Sequence, residues 1–151
     1  MMKIRKALVS IAAAASLIVS CMVVSAPAQA AQNWPLHPGC AGVPKTSTQY
    51  DGIPGPIFNK RMQCFASLAG AGYYGSIDGN MTKAQWNGVA QQLYKGGYYP
   101  STISFGSDDF STVLALQKWA QANGQYVGGP LDGRWGPNTY RGVAWCLNQI
   151  F

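Results

Sequence analysis

The residue types that carry most enzyme chemistry are scarce in this sequence. It contains no glutamate, and its one histidine is His37. The acidic residues are Asp51, Asp78, Asp108, Asp109 and Asp132. Glycoside hydrolysis usually needs two facing carboxylates, commonly with a Glu as the acid. A zinc hydrolase needs two or three His or Cys ligands, and a Cys–His pair would have to use His37 from a proline-rich segment. We therefore expect no catalytic set, no metal site and no cofactor.

The N-terminus has the pattern of a secretory signal. A basic segment at residues 3–6 precedes an uncharged apolar run from Ala7 to about Val24, which is followed by SAPAQA. This order predicts a signal peptide over residues 1–30, cleaved after Ala30, and a secreted or wall-associated product. The letters IVSC, which end at Cys21, resemble a lipobox. The alternative to cleavage after Ala30 is therefore a lipidated N-terminus at Cys21.

Composition limits the partners of the remaining chain. Removing residues 1–30 leaves 121 residues with eight Lys and Arg against five Asp, a net charge of +3. This length fits one domain with a modest core. A mild positive charge suits an anionic cell wall. The cations form no run that would track a phosphate backbone. We expect a monomer with no nucleic-acid partner and, after cleavage, no membrane partner.

Two segments of the mature chain differ in composition. Residues 31–57 hold five prolines and four glycines in 27 positions, which favours an irregular strap. Residues 58–151 contain a repeat with steps of 25, 27 and 27 residues. Gly72, Gly97 and Gly124 close its first three units, and apolar residues lie eight and four positions before each glycine. The apolar pairs of the four units are Cys64 and Leu68, Val89 and Leu93, Leu116 and Ala120, and Val143 and Leu147.

This repeat predicts helices. An apolar pair at i and i+4 lies on one helix face, and a glycine after the run is typical of a left-handed C-cap. In the last three units the residue just before the first apolar position is small (Gly88, Ala115 and Gly142), as close helix approach requires. We predict an all-α, compact bundle of four short helices near residues 58–70, 82–95, 108–122 and 137–149.

The linkers between these helices also repeat. Residues 78–82, DGNMT, align without a gap on residues 132–136, DGRWG. An Asp-Gly pair favours a tight turn. The middle linker instead has Phe105 and Gly106 at these positions.

Capping signals follow the turns. Thr82 with Gln85 predicts a capping box on the second helix, and Pro137 suits the first turn of the fourth. In the middle linker, Ser107 and Asp108 can cap the third helix.

The string DGRWGPNT, with LYKGGYYP and LQKWAQANG before it, resembles the peptidoglycan-binding domain 1 family, whose hallmark is a DGxxGPxT turn between helices. The resemblance covers residues 58–151 and is best over the last 60. It implies a helical bundle that attaches, without catalysis, to the glycan or stem peptide of the bacterial wall. The first linker reads DGNMTK, and the second lacks its Asp, so one turn is fully typical.

The resemblance and the chemistry of aromatic rings suggest where a ligand would bind. Tyrosines follow the helix-ending glycines, and such rings can stack on a sugar face. One Tyr of each pair is expected to pack on the helix ends. Trp135 is either a contact or part of the core, since Met81 occupies the equivalent position. The candidate ligand-binding residues are Asp78, Gly79, Asp132, Gly133, Trp135, Asn138, Thr139, Tyr73, Tyr74, Tyr98 and Tyr99.

Three cysteines remain after cleavage, so one disulfide can form in three ways. We hypothesise a bridge between Cys40 and Cys64, which would close a loop of about 25 residues and hold the strap on the bundle. Small wall-binding proteins similar to this chain often have cysteines in these two places. Cys146 would then stay reduced and buried. The alternative joins Cys64 to Cys146.

Three functional readings follow. The first is a secreted module that binds peptidoglycan without catalysis. The second is a secreted protein-binding or inhibitory factor on the same scaffold, and the third is an enzyme of unrecognised type. Sedimentation with protein-free sacculi separates the first from the second.

Overall fold

The computed structural model describes residues 36–49, 54–68, 73–100, 107–126 and 128–151, all within one unit, Asn33–Phe151. Its elements are a 3-10 turn, Pro38–Cys40, and the helices α1 (Pro56–Ser67), α2 (Lys83–Lys95), α3 (Phe110–Ala122) and α4 (Pro137–Ile150). No strand occurs in these described ranges. The predicted all-α fold of four short helices is therefore confirmed. The predicted signal segment, Cys21, Gly72 and the Phe105–Gly106 linker lie outside the described residues.

Helix α1 is the element whose limits differ most from prediction. It begins at Pro56, because proline has no N–H that the first turn would leave unpaired. It ends three residues before the predicted limit, at Ser67, because Leu68 is extended with φ −61° and ψ 133°. The other helices begin within two residues of the predicted positions and end within one. Pro137 starts α4, as predicted.

The predicted glycine C-caps are confirmed at two helices. Gly97 has φ 78° and Gly124 has φ 76°, a left-handed conformation that suits glycine. After α2, the N–H of Tyr98 donates to the carbonyl of Leu93 at 2.9 Å. The same bond after α3 joins residues 125 and 120 at 3.0 Å. Both helices therefore end in a Schellman motif.

Two N-caps were predicted from the linkers, and one is corrected. At α2, the side chain of Gln85 accepts from the backbone N–H of Thr82 at 2.9 Å, as in a capping box. At α3, the cap is Asp109, whose carboxylate accepts from the N–H of Thr112 at 3.0 Å. The prediction of Ser107 and Asp108 was wrong because α3 begins at Phe110.

The bundle consists of two equivalent helix pairs, α1 with α2 and α3 with α4. Gln63 and Gln117, 54 positions apart, each bond to an aspartate 15 residues later. Leu116 therefore corresponds to Met62 and not to Cys64, so the predicted alignment of α1 was wrong by two residues. The predicted alignment was anchored on Gly72, which lies outside the described residues, whereas packing sets the register of a helix. The corrected core column of Met62, Val89, Leu116 and Val143 is fully buried.

Close packing within each pair depends on a small residue, as predicted. A Cβ added to Gly88 in α2 would lie 2.8 Å from the Cβ of Ala66 in α1. At the equivalent Gly142 in α4, it would lie 3.1 Å from the Cβ of Ala120 in α3. Each pair therefore approaches more closely than larger side chains would permit.

The strap is joined to the bundle by a disulfide. Cys40 is bonded to Cys64, with their Cα atoms 5.7 Å apart, so the predicted pairing is confirmed and the Cys64–Cys146 alternative is wrong. Cys146 is a buried free thiol, also as predicted. Burial raises its thiol pKa to about 12.

Two side chains with no predicted role also hold the strap. The guanidinium of Arg61 donates to the carbonyls of Val43 and Pro44 at 3.0 and 2.6 Å. It also donates to Leu147 in α4 at 3.0 Å. Asn148 pairs with both the N–H and the carbonyl of Thr46, each at 2.9 Å. These bonds fix residues 43–46 of the strap over α1 and α4.

Candidate functional site

The second Asp-Gly turn connects α3 to α4. Gly133 has φ 64°, which a side chain would strain. The Asp132 carboxylate accepts from the backbone N–H of Arg134 at 3.1 Å and from the side-chain amide of Gln117 at 2.8 Å. The turn is therefore held both by its own aspartate and by a side chain of α3.

Gln117 is the centre of this arrangement, and its side chain is fully buried. Its amide oxygen accepts from the N–H of Gly133 at 2.9 Å. Its amide nitrogen also lies 3.1 Å from the carbonyl of Arg134 and 2.9 Å from the hydroxyl of Thr139, at the start of α4. Because one rigid amide contacts the turn and the next helix, it fixes their relative position.

The first Asp-Gly turn has the same construction. The amide of Gln63, also fully buried, donates to Asp78 at 2.8 Å and accepts from the N–H of Gly79 at 2.8 Å. The N–H of Asn80 donates to Asp78 at 2.8 Å. The two turns are thus equivalent in geometry as well as in sequence.

These hydrogen bonds determine the ionisation of both aspartates. The bond from Gln63, with that from the Asn80 N–H, lowers the pKa of Asp78 to about 2. The bond from Gln117, followed by that from the Arg134 N–H, lowers the pKa of Asp132 below its usual range. Both carboxylates therefore carry a negative charge at neutral pH and accept hydrogen bonds.

The second turn borders an open pocket of about 140 Å³. Its lining combines a carboxylate, a guanidinium, a side-chain amide and an indole. The lining residues are Tyr126, Pro130, Asp132, Arg134, Trp135, Gly136, Pro137, Asn138 and Thr139. Such a mixture of polar groups beside an aromatic ring suits a ligand that has both polar and apolar faces.

Trp135 belongs partly to the core and also lines the pocket. It is half-buried and packs against the core, with its ring edge-on to Phe58 at a centroid distance of 6.0 Å. It also lines the pocket. Met81, at the equivalent place in the first turn, is likewise partly buried against the core.

The predicted tyrosines fall into two groups. Tyr73 is 5% exposed and Tyr99 is 6% exposed, so neither ring has a face free for stacking on a sugar. The Tyr99 hydroxyl lies 2.9 Å from that of Thr112, and burial raises the pKa of Tyr99. Tyr74 is 77% exposed, and Tyr98 packs partly against the core. One tyrosine of each pair therefore belongs to the core, as expected.

The structure brings some predicted site residues together and separates others. Asp132, Trp135, Asn138 and Thr139 line one pocket, although Thr139 is buried. Gly133, the glycine of the turn itself, is buried. The remaining candidates, Asp78, Gly79, Tyr73, Tyr74, Tyr98 and Tyr99, do not line this pocket.

Sequence reasoning missed Arg134 and Gln117. Arg134 stands at an unconstrained position of the turn motif, where Asn80 occurs in the first half. The signal for Gln117 was available, because a glutamine precedes the aspartate of both Asp-Gly turns by 15 residues.

The described residues contain no site of two other kinds. No group of three or more His, Cys, Asp or Glu that could hold a metal ion occurs among them. No helix in that part of the chain is long and apolar enough to cross a membrane. Comparison of the chain with protein-family models, curated proteins and solved structures found no match.

Proposed function

We propose that the mature chain is a secreted, non-catalytic module that binds bacterial peptidoglycan through the pocket at its second Asp-Gly turn. The observation that carries this proposal is the position of the DGRWGPNT segment. Its Asp132, Arg134, Trp135 and Asn138 converge on one open pocket, on a turn made rigid by Gln117. The resemblance of this segment to the peptidoglycan-binding domain 1 family supplies the ligand class.

The chemistry of the pocket is compatible with that ligand. Peptidoglycan combines N-acetylated sugars with short peptides that carry carboxylates and amides. Arg134 offers donors for a carboxylate, and Asp132 and Asn138 offer acceptors for amide N–H groups. The Trp135 ring offers an apolar surface beside them. The pocket is small, so we expect each site to bind weakly and retention on a polymeric wall to gain from repeated attachment.

The ionisation of Asp132 supports a binding role over acid catalysis. A general acid for glycosidic cleavage needs a raised carboxyl pKa, so that it holds a proton near neutral pH. The hydrogen bond from Gln117 lowers the pKa of Asp132 instead.

Sedimentation with protein-free sacculi tests the proposal. The full chain is expressed in a secreting bacterial host, and the purified product is mixed with sacculi. We expect the protein to sediment with sacculi while releasing neither sugar nor peptide. Fragments released at a rate proportional to the protein would contradict the non-catalytic function. A protein that stays in the supernatant would favour the alternative of a secreted protein-binding factor.

A matched pair of variants locates the binding surface. Asn138→Ala removes an exposed pocket amide and installs the residue found at the equivalent position of the first half, Ala84. Gln149→Ala removes an exposed amide from the far end of the same helix. We expect Asn138→Ala to weaken sacculus binding about threefold to tenfold, as for one lost hydrogen bond, and Gln149→Ala to leave it unchanged. Equal binding by both variants would place the site elsewhere.

A further inference from the structure

The strap covers one face of the first helix pair. Cys40 is bonded to Cys64, and its sulfur lies 4.0 Å from the hydroxyl of Ser67. A Cβ added to the neighbouring Gly39 would lie 3.0 Å from Cγ1 of Ile77, so the strap backbone packs directly on that side chain. Both α1 residues of this contact are buried. The 3-10 turn of the strap is therefore a peptide segment docked on α1 and on the residue that precedes the first Asp-Gly turn.

The second helix pair presents the equivalent face to solvent. The spacing of 54 residues that relates the two buried glutamines also relates the three covered residues, Cys64, Ser67 and Ile77, to Lys118, Gln121 and Leu131. Lys118 and Gln121 are exposed, and Leu131 is 39% exposed. We refer to these last three residues as the α3 face. The two halves of the fold thus carry the same face, covered by a peptide in one half and exposed in the other.

An exposed aromatic ring adjoins the α3 face at the second turn. Phe110, the first residue of α3, is 61% exposed, and its ring carbon Cε2 would lie 2.7 Å from a Cβ added to Gly133. It lies on the same side of α3 as Lys118, eight residues later. The equivalent residue of the first half is Pro56. The second half therefore adds apolar surface where the first half has only a proline, and exposed apolar surface of this kind is typical of interaction sites.

The α3 face differs from its covered counterpart by one charge. Where α1 has Cys64, which holds the strap covalently, α3 has the cation of Lys118. A segment docked on α3 in the manner of the strap would place its own equivalent of Cys40 beside that cation. An Asp or Glu at this position would form an ion pair with Lys118. Charge complementarity therefore favours an acidic segment.

We propose that the α3 face docks an acidic Pro-Gly turn segment of a partner protein, which lies on α3 as the strap lies on α1. The Asp or Glu of the segment pairs with Lys118, and its glycine packs on Leu131 as Gly39 packs on Ile77. Phe110 adds an apolar contact at the edge. None of these α3-face contacts lines the pocket at the second Asp-Gly turn, so the inference concerns a separate surface and goes beyond the proposed function.

The test uses two nine-residue peptides with blocked ends that copy residues 36–44 of the strap. One carries Cys40→Asp and the other Cys40→Lys, so they differ only in the charge that would face Lys118. Binding to the secreted full-chain product is followed by NMR titration at low ionic strength. We expect the acidic peptide to bind about fivefold more tightly than the basic one, as for one exposed ion pair, and to shift the amide signals of Gln121 and Leu131.

A matched pair of charge reversals locates the contact. Lys118→Glu reverses the charge on the α3 face, and Lys83→Glu makes the same change at the exposed start of α2. Both variants lower the net charge of the protein equally, so any general attraction for an acidic peptide falls equally. We expect Lys118→Glu to bind the basic peptide more tightly and Lys83→Glu to retain the preference for the acidic one. A preference for the acidic peptide in Lys118→Glu, or loss of this preference in both variants, would overturn the proposal.

Sedimentation with sacculi distinguishes a partner protein from the wall itself. Lys118→Glu should sediment as the original chain does. Weaker retention of Lys118→Glu but not of Lys83→Glu would identify the acidic stem peptide of the wall as the occupant and overturn the assignment to a partner protein. Binding of neither peptide would overturn the docking face and leave the proposed function standing. Failure of the original chain to sediment would overturn the proposed function and leave the docking face standing.

Discussion

At the scale of single residues, the two buried glutamines explain how an Asp-Gly dipeptide becomes a fixed surface. A dipeptide turn alone is a short, solvent-exposed segment with few bonds. Here the side chain of Gln117 supplies a donor to Asp132 and an acceptor for Gly133, and Gln63 repeats this at the first turn. The shape of the proposed binding pocket therefore depends on a residue that does not itself line the pocket.

The equivalence of the two glutamines permits a controlled prediction. Gln117→Leu and Gln63→Leu should each lower the free energy of unfolding by about 2 kcal/mol, because each leaves a glycine N–H without its acceptor. Gln117→Leu should also weaken sacculus binding, whereas Gln63→Leu should not. Urea unfolding and sedimentation, run at a temperature where both variants are folded, measure the two effects. Equal loss of binding in both would indicate that the glutamines act through stability alone.

At the scale of elements, a covalent bond and several polar contacts hold the strap on the bundle. The Cys40–Cys64 bond ties it to α1, and Arg61 and Asn148 fix its course. Arg61 is buried with carbonyl partners, and burial lowers its pKa. Its planar fork of donors reaches the strap and α4 together, a geometry that lysine could not reproduce.

Removing the Cys40–Cys64 bond measures how much the covalent link stabilises the fold. Cys40→Ser/Cys64→Ser should lower the free energy of unfolding by about 3 kcal/mol, because the open loop regains conformational entropy. Cys146→Ala, which removes a buried thiol outside the bridge, should cost about 1 kcal/mol. Denaturant unfolding compares the two variants.

The native Cys146 thiol should also resist alkylation at pH 8, since its raised pKa keeps it protonated. Rapid alkylation of the folded protein would contradict its burial.

At the scale of the whole molecule, the two Asp-Gly turns link stability to pH. The folded-state pKa of Asp78 is lowered from 3.8 to about 2, and that of Asp132 is lowered as well. A group with a depressed folded pKa contributes stability above its unfolded pKa and loses it as pH falls through its folded pKa. The unfolding free energy should therefore stay level near neutral pH and decline below about pH 4.

Urea unfolding between pH 2 and pH 7 measures this decline. Asp78→Asn should flatten part of it, because an amide does not titrate. Asp108→Asn, which alters an exposed carboxyl before α3, serves as the control and should leave the profile unchanged. A profile for Asp78→Asn that matches the original would show that the turn does not contribute to the acid sensitivity.

The sequence by itself determined the local features of this protein. Apolar spacing with a following glycine predicted the helices, and Gly97 and Gly124 end two of them as expected. Pro137 and the Thr82–Gln85 pair marked helix starts, because capping depends on neighbours within a few positions. The Cys40–Cys64 pairing was the favoured hypothesis, because a loose strap needed an attachment, but the sequence left the Cys64–Cys146 alternative open and the structure decided between them.

Only the tertiary structure decided the features that depend on residues far apart in the chain. It set the register of α1, because packing against α2 places Met62 in the core and turns Cys64 towards the strap. It selected Tyr73 and Tyr99 for burial, because the two tyrosines of a pair are alike in sequence and differ in the face they present. It also joined Gln117 to Asp132 by a hydrogen bond beside the pocket at the second turn. Local sequence rules describe neighbours along the chain, whereas these contacts form only when the helices pack together.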